Sequence, residues 1–126
     1  QTAILAELCR HVYSIERVTT LSNRARQTLY RLGYVNYSLR IGDGTLGWPE
    51  EAPFDTILVT AASPTIPHPL LAQLGEGGVL VIPKGEEPSQ FLVRVTKQGK
   101  TYREEVLTEC RFVKLYGQYG WQEDRN

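Results

Sequence analysis

Leu39-Arg40-Ile41-Gly42-Asp43-Gly44, with Thr45-Leu46-Gly47-Trp48-Pro49-Glu50-Glu51-Ala52-Pro53-Phe54-Asp55 behind it, is the run on which the reading of this chain turns. A short apolar strand enters Gly-Asp-Gly, where the flanking glycines let the backbone approach a ligand closely and leave one carboxylate at the strand's end. In an open α/β sheet, ligands sit beyond the carboxyl ends of parallel strands, so Asp43 is a candidate for holding the amino group of an adenine ring. Read alone, the run also fits a turn in which Asp43 caps its own backbone. A second acid, Glu16, shifts that balance because it stands the same way on another strand.

Working back from the loop, Val12-Tyr13-Ser14-Ile15 is a compact apolar run ending in Glu16-Arg17, the pattern of a buried parallel strand with an acid at its tip. Such an acid accepts hydrogen bonds from the two hydroxyls of a ribose; the plain alternative is a Glu paired with a neighbouring base. Arg17 reads as a solvated neighbour, and it stands with Glu16 among the candidate cofactor residues. Between the two strands, Leu21, Ala25, Leu29 and Leu32 fall on one stripe of a helix that Thr19 or Thr20 caps and Gly33 ends. Its polar face carries Arg24, Arg26, Gln27 and Arg31 toward solvent. Upstream, Ile4, Leu5 and Leu8 give residues 1–8 the pattern of a helix with one buried face, with nothing before it to cap it or to bury against. The chain has no methionine and opens inside that helix, and is therefore expected to be a fragment.

Forward of the loop, residues 45–53 are polar, contain proline and show no helical period; they read as an ordered loop in which Trp48 serves as an anchor or packs over a ligand. Residues 54–60 form an apolar strand with the Thr60 hydroxyl at its end. The small residues Ala61-Ala62-Ser63 beyond it leave room for a substrate's backbone or make a tightly packed turn. Residues 66–74 predict a short helix with Pro67 and Pro69 near its start and Gly75 at its end. Val79-Leu80-Val81-Ile82-Pro83 is another buried strand. This alternation is that of a parallel, doubly wound sheet. Residues 84–89 leave room only for a loop, too short for a parallel crossover, so residues 91–96 run antiparallel to the strand before them. Gln98-Gly99-Lys100 turns the chain into a last strand over residues 102–112. The fold class is therefore α/β: Rossmann-like, doubly wound and mostly parallel, with a C-terminal antiparallel hairpin. Residues 1–115 form a partial domain and 116–126 an aromatic, Gly-rich tail whose charged end is expected to be disordered.

The 126 residues suffice for one domain, and acidic and basic residues balance at 14 each with no long run of either sign. This argues against a nucleic-acid groove or a membrane-binding face. The longest apolar runs are strand-length, and the start resembles neither a signal nor a transit peptide. Cys9 and Cys110 stand far apart without a CxxC, which suits a reducing cytoplasm. His11, read as a helix-end residue, and His68, read as a solvated loop residue, have no partner at metal-ligand spacing, so no metal is expected.

Acids at two successive strand tips of a parallel sheet that closes in an antiparallel hairpin resemble the class I methyltransferases that use S-adenosylmethionine. Within that class, four pieces together look like the protein-L-isoaspartate O-methyltransferases. They are Gly42-Asp43-Gly44 through Gly47-Trp48-Pro49 to Ala52-Pro53-Phe54-Asp55; Val59-Thr60-Ala61-Ala62; Leu74, Gly77-Gly78, Ile82-Pro83 and Gly85-Glu86-Glu87; and Arg111-Phe112-Val113. The resemblance spans residues 1–115. It implies that Glu16 binds the cofactor ribose, that Asp43 and the Gly44 backbone hold the adenine, and that Gln1 and Thr2 follow a glycine-rich loop around the cofactor's methionine part. Thr60, Ala61 and Ala62 would line the site where the substrate carboxylate meets the sulfonium methyl.

The resemblance also implies the activity: methylation of the free carboxylate of L-isoaspartyl residues in damaged proteins or peptides, whose ester closes to a succinimide and reopens partly as aspartate. The nucleophile is ionised at neutral pH, so no general base is needed, and catalysis rests on alignment and exclusion of water. The family's first strand, its glycine-rich loop and its catalytic serine have no counterpart in this chain, so no residue here takes the serine's role. A sheet without that middle strand is expected to bind cofactor weakly and not to turn over. Lys114 departs from the family's usual Pro, which bears on the path of the tail. A monomer is expected. The competing readings are a nicotinamide-dependent oxidoreductase, a methyltransferase of small carboxylic acids and a non-catalytic fragment.

Overall fold

A computed structural model describes residues 1–124, which fall into two compact units, Gln1–Gly44 and Thr45 onward. Each is built on its own sheet: two strands in the first, four in the second. The expectation of disorder at the charged chain end falls in part on residues 125 and 126, outside the described residues.

The first unit runs α1 (Thr2–Leu8), β1 (Val12–Glu16), α2 (Thr19–Arg31) and β2 (Tyr37–Ile41). β1 and β2 pair in parallel from Val12 opposite Tyr37 to Glu16 opposite Ile41, with α2 as the crossover that parallel neighbours require. Asn36 secures the lower end, its Nδ2 donating to Ala6 O at 2.8 Å and Cys9 O at 3.1 Å, carbonyls that the end of α1 leaves without helical partners. Tyr34 Oη donates to Glu7 Oε1 at 2.6 Å. His11 lies between α1 and β1, with Nε2 hydrogen-bonded to Ser38 Oγ at 2.9 Å. Gly33 does end α2, at φ +81°, a left-handed turn that favours glycine.

Two expectations for the helices need correction. Thr19 and Thr20 lie inside α2, and Val18 takes the capping position without a side-chain cap of its own. The apolar stripes are largely uncovered: Ala6 is the buried residue of α1 while Ile4 and Leu8 are exposed, and in α2 Leu29 is buried while Leu21 and Leu32 are exposed. Two strands offer too little apolar face to cover two helices.

The second unit carries β3 (Phe54–Leu58), α3 (His68–Ala72), β4 (Leu74–Glu86), β5 (Ser89–Gln98) and β6 (Thr101–Cys110), the strands ordered β3-β4-β5-β6. β3 and β4 are parallel; β4–β5 and β5–β6 are antiparallel. Leu70, Leu74, Leu80, Ile82, Val93 and Val95 form its core. The parallel-to-antiparallel switch is therefore where sequence places it, at the end of β4.

Boundaries differ. The helix expected over 66–74 holds only His68–Ala72, because Leu74 joins β4 and Gly75 with it. The loop expected over 84–89 shrinks to a turn at Glu87-Pro88, with Glu86 opposite Ser89: an antiparallel ladder continues while backbone donors and acceptors face each other. Gly85, at φ +119°, could not be replaced there, since a Cβ would run into the Ser89 carbonyl. β3 stops at Leu58 rather than residue 60, although Val59 N still donates to Val81 O at 2.9 Å. β6 covers Thr101–Cys110 rather than 102–112. The stretch expected as a loop over 45–53 holds two single 3-10 turns, Gly44–Leu46, which begins one residue before it, and Pro49–Glu51. His68 is the first residue of α3, exposed but with its ring edge-on to Tyr119 at 4.5 Å.

Candidate functional site

Glu16 closes β1 and Gly42-Asp43-Gly44 follows β2, so register brings the two acids to adjacent strand ends. The ladder continues one step past the strands, with Gly42 N donating to Glu16 O at 3.0 Å. The Glu16 carboxylate is positioned by the chain itself. Its Oε1 accepts the Val18 N–H at 3.1 Å, at the start of α2, where backbone donors lack helical partners and an anion is favoured. A carboxylate has about four acceptor sites, so this bond leaves Glu16 able to accept from a diol. Glu16 is half-buried and Arg17 is exposed. Asp43 and Gly44 are half-buried; a Cβ added at Gly42 or Gly44 would meet nothing within 4 Å, and neither glycine has positive φ. The space over this loop is open, and the backbone shape alone does not call for glycine.

Gln1 is the capping residue of α1 and Thr2 its first residue. A three-residue connection, 9–11, leads from α1 into β1. Of the residues named from sequence, register therefore brings Glu16 and the Asp43-Gly44 loop to adjacent strand ends, with Arg17 next to Glu16, while Gln1 and Thr2 open α1.

Thr60, Ala61 and Ala62 belong to the second unit. Thr60 is exposed and Ala61 half-buried. Ala62 is fully buried with its peptide groups engaged: its N–H donates to Val113 O at 2.7 Å, and its carbonyl accepts from Leu115 N at 2.8 Å and Trp121 Nε1 at 3.1 Å. It can serve a neighbouring site as a wall, not as a backbone donor.

Sequence reasoning missed the amides that hold these segments. Buried Gln73 grips the loop after Asp43, its Oε1 accepting Trp48 N at 2.9 Å and its Nε2 donating to Leu46 O at 2.9 Å. Gly47 sits between them at φ +65°, and a Cβ there would collide with the Gln73 amide. Buried Gln90 does the same for Phe112, donating to its carbonyl at 3.1 Å and accepting its N–H at 2.7 Å. A lone Gln carries no periodic signal that could have marked either role. No group of three or more His, Cys, Asp or Glu able to hold a metal occurs among the described residues, and no described helix is long and apolar enough to cross a membrane.

Comparison with known proteins bears on the family and the fold. The sequence profile of the protein-L-isoaspartate(D-aspartate) O-methyltransferase family matches residues 1–120. The protein-L-isoaspartate O-methyltransferase of Syntrophus aciditrophicus (strain SB) is 56% identical over 124 residues, covering 96% of this chain and 57% of that protein. That of Dictyoglomus turgidum is 51% identical over 123 residues, covering 98% and 56%. Among solved structures, a protein-L-isoaspartate O-methyltransferase superposes with a TM-score of 0.81 at 29% identity, over 87% of this chain and 35% of the other. A Plasmodium falciparum protein of the same description, in complex with S-adenosyl-L-homocysteine, gives 0.73 at 28% identity, over 84% and 52%. The chain spans little more than half the length of the relatives it matches. With a profile match over nearly its whole length, it belongs to the protein-L-isoaspartate(D-aspartate) O-methyltransferase family.

Proposed function

We propose that this chain serves S-adenosylmethionine-dependent methylation of the free carboxylate of L-isoaspartyl residues in damaged proteins and peptides. The observation that carries the reading is the register of β1 and β2, which sets Glu16 and the Asp43 loop on adjacent strand ends. S-adenosylmethionine supplies the methyl group on a sulfonium. Glu16, with Arg17 beside it, takes the ribose hydroxyls; Asp43 and the Gly44 backbone take the adenine; Gln1 and Thr2 border the methionine end. Thr60 and Ala61, walled by Ala62, border the substrate carboxylate, which is ionised at neutral pH and needs no base to attack. The chain's contribution is to fix positions and exclude water, effects that together reach roughly 7–11 kcal/mol in well-aligned reactions. The activity for which the relatives are named and the S-adenosyl-L-homocysteine complex of the Plasmodium falciparum neighbour support this reading. Balanced charge and two free cysteines suit a cytoplasmic monomer without nucleic-acid or membrane partners.

Titration calorimetry with S-adenosylhomocysteine tests the cofactor half. Glu16→Gln keeps an acceptor for Val18 N–H while removing the charge, so a fall in affinity of about tenfold or more, with an unchanged thermal midpoint of the unliganded chain, reports on the ligand. Asp43→Asn is expected to weaken binding similarly. Unchanged affinity in both variants would overturn the assignment. This chain alone is expected not to turn over, so methyl transfer to an isoaspartyl peptide, compared with its aspartyl twin and with free small acids, tests the substrate half in a chain extended to the full length of the relatives.

A further inference from the structure

Val113, Lys114 and Leu115 form a short extended segment with one edge occupied. Ala62 N donates to Val113 O and Leu115 N to Ala62 O, which makes Lys114 the residue opposite Ala62 in a parallel bridge. In that pattern the peptide groups of Lys114 itself point away from Ala62, toward the side where Gln90 holds both peptide groups of Phe112. Gln90 imitates a paired strand at Phe112; one step on, the N–H and C=O of Lys114 have no partner among the described residues. They border a cleft of about 260 Å³ lined by Gly85, Glu86, Glu87, Gln90, Phe112 and Trp121, among others. Glu86 and Glu87 are exposed at its lip, against the single ammonium of Lys114, whose Nζ lies 5.1 Å from the centre of the Trp121 ring.

We propose that the open edge at Lys114 takes an extended peptide by strand addition, and that the peptide side chain reaching the cleft is basic. Main-chain bonds to Lys114 hold the peptide, and the pocket beside them reads an alternate side chain. Two carboxylates against one ammonium leave the lip with a net negative charge, which favours Lys or Arg and disfavours Asp or Glu. Phe112 and Trp121 supply the apolar wall along which a long cationic stem lies. This rests on the peptide-methylating reading above and adds to it a docking edge and a charge preference.

The test uses a short lysine-containing isoaspartyl peptide, its aspartyl twin, a Lys-to-Glu copy and a set N-methylated at single backbone amides. Lys114→Pro removes an N–H that makes no bond within the protein, while Lys114→Ala keeps it. Affinity is expected to fall about five- to tenfold in Lys114→Pro but less than threefold in Lys114→Ala, and one N-methylated peptide should lose affinity with the unaltered protein. The Lys-to-Glu copy is expected to bind at least fivefold more weakly, a gap closed by Glu86→Gln with Glu87→Gln. Slowed exchange of the Lys114 amide on peptide addition supports the edge directly. Equal affinity for Lys114→Pro and the original chain, with unchanged amide exchange, overturns it. If isoaspartyl and aspartyl peptides bind alike while the Lys114 amide is still protected, the edge stands and the isoaspartyl reading fails.

Discussion

Arg94 Nε donates to Glu105 Oε2 at 2.8 Å across the β5–β6 ladder, and Arg103 Nη2 lies 2.9 Å from Glu105 Oε1. The Arg94 hydrogen bond, aided by the charges of Arg103 and Arg94, holds the Glu105 carboxyl below the usual carboxylate range. A depressed native pKa stabilises the fold above the carboxyl's ordinary unfolded value, and that contribution is lost as pH falls through the lower native value. Titration of Glu105 followed by NMR should therefore show a lowered midpoint that moves up toward an ordinary carboxylate in Arg94→Ala. The effect on global stability is expected to be small, because the pair is exposed and screened. Such pairs were not legible from sequence, since a register slip of one residue would have separated them. The placement of Glu16 and Asp43 at strand ends was legible, because an acid at or just past the end of an apolar run needs only the strand's direction to be placed.

At the scale of elements, strand cores and α2 followed from apolar pattern, but ends did not. The end of α3 and the start of β4 are decided by Gln73. Its backbone carbonyl accepts Phe54 N at 2.8 Å while its side chain closes the 46–48 loop, a contact 25 to 27 residues distant in sequence. Local propensity contains no record of such a contact. Replacing Gln73 with Leu would leave the Trp48 N–H and Leu46 carbonyl unsatisfied, at about 1–3 kcal/mol, read as a lower denaturant midpoint with an unchanged slope. Gly47→Ala is expected to cost a comparable amount, since it meets the same amide from a left-handed backbone. The tail was likewise read only as aromatic and Gly-rich, yet Trp121 and Tyr119 tie it down through Ala62 O and Thr45 Oγ1.

Across the whole molecule, the two units differ in what holds them. The second has a contiguous core of six buried aliphatic residues beneath a four-stranded sheet. In the first, the buried apolar residues are Ala6, Val12 and Leu29, while Ile4, Leu8, Tyr30, Leu32 and Val35 are more than half exposed. A two-stranded sheet is marginal by itself. Hydrogen exchange should accordingly show β1 and β2 amides opening well below the free energy that protects β4 and β5, with unfolding probes that do not coincide. Coincident transitions and equal protection in both sheets would count against this division. The α/β class and the parallel-to-antiparallel switch were readable from alternation and loop length. The division into two sheets accords with the expectation of a sheet without its middle strand, whose flanking strands then have no ladder between them.

The indole of Trp121 stands at the meeting point of several of these features, its N–H fixed on Ala62 O and a lysine ammonium near its ring. Its emission therefore depends on the electric field of one small, well-defined neighbourhood. With Trp48 as the other tryptophan, a Trp48→Phe chain excited beyond the tyrosine absorption band would report from a single tryptophan at the cleft wall, able to follow occupancy in real time without an attached dye.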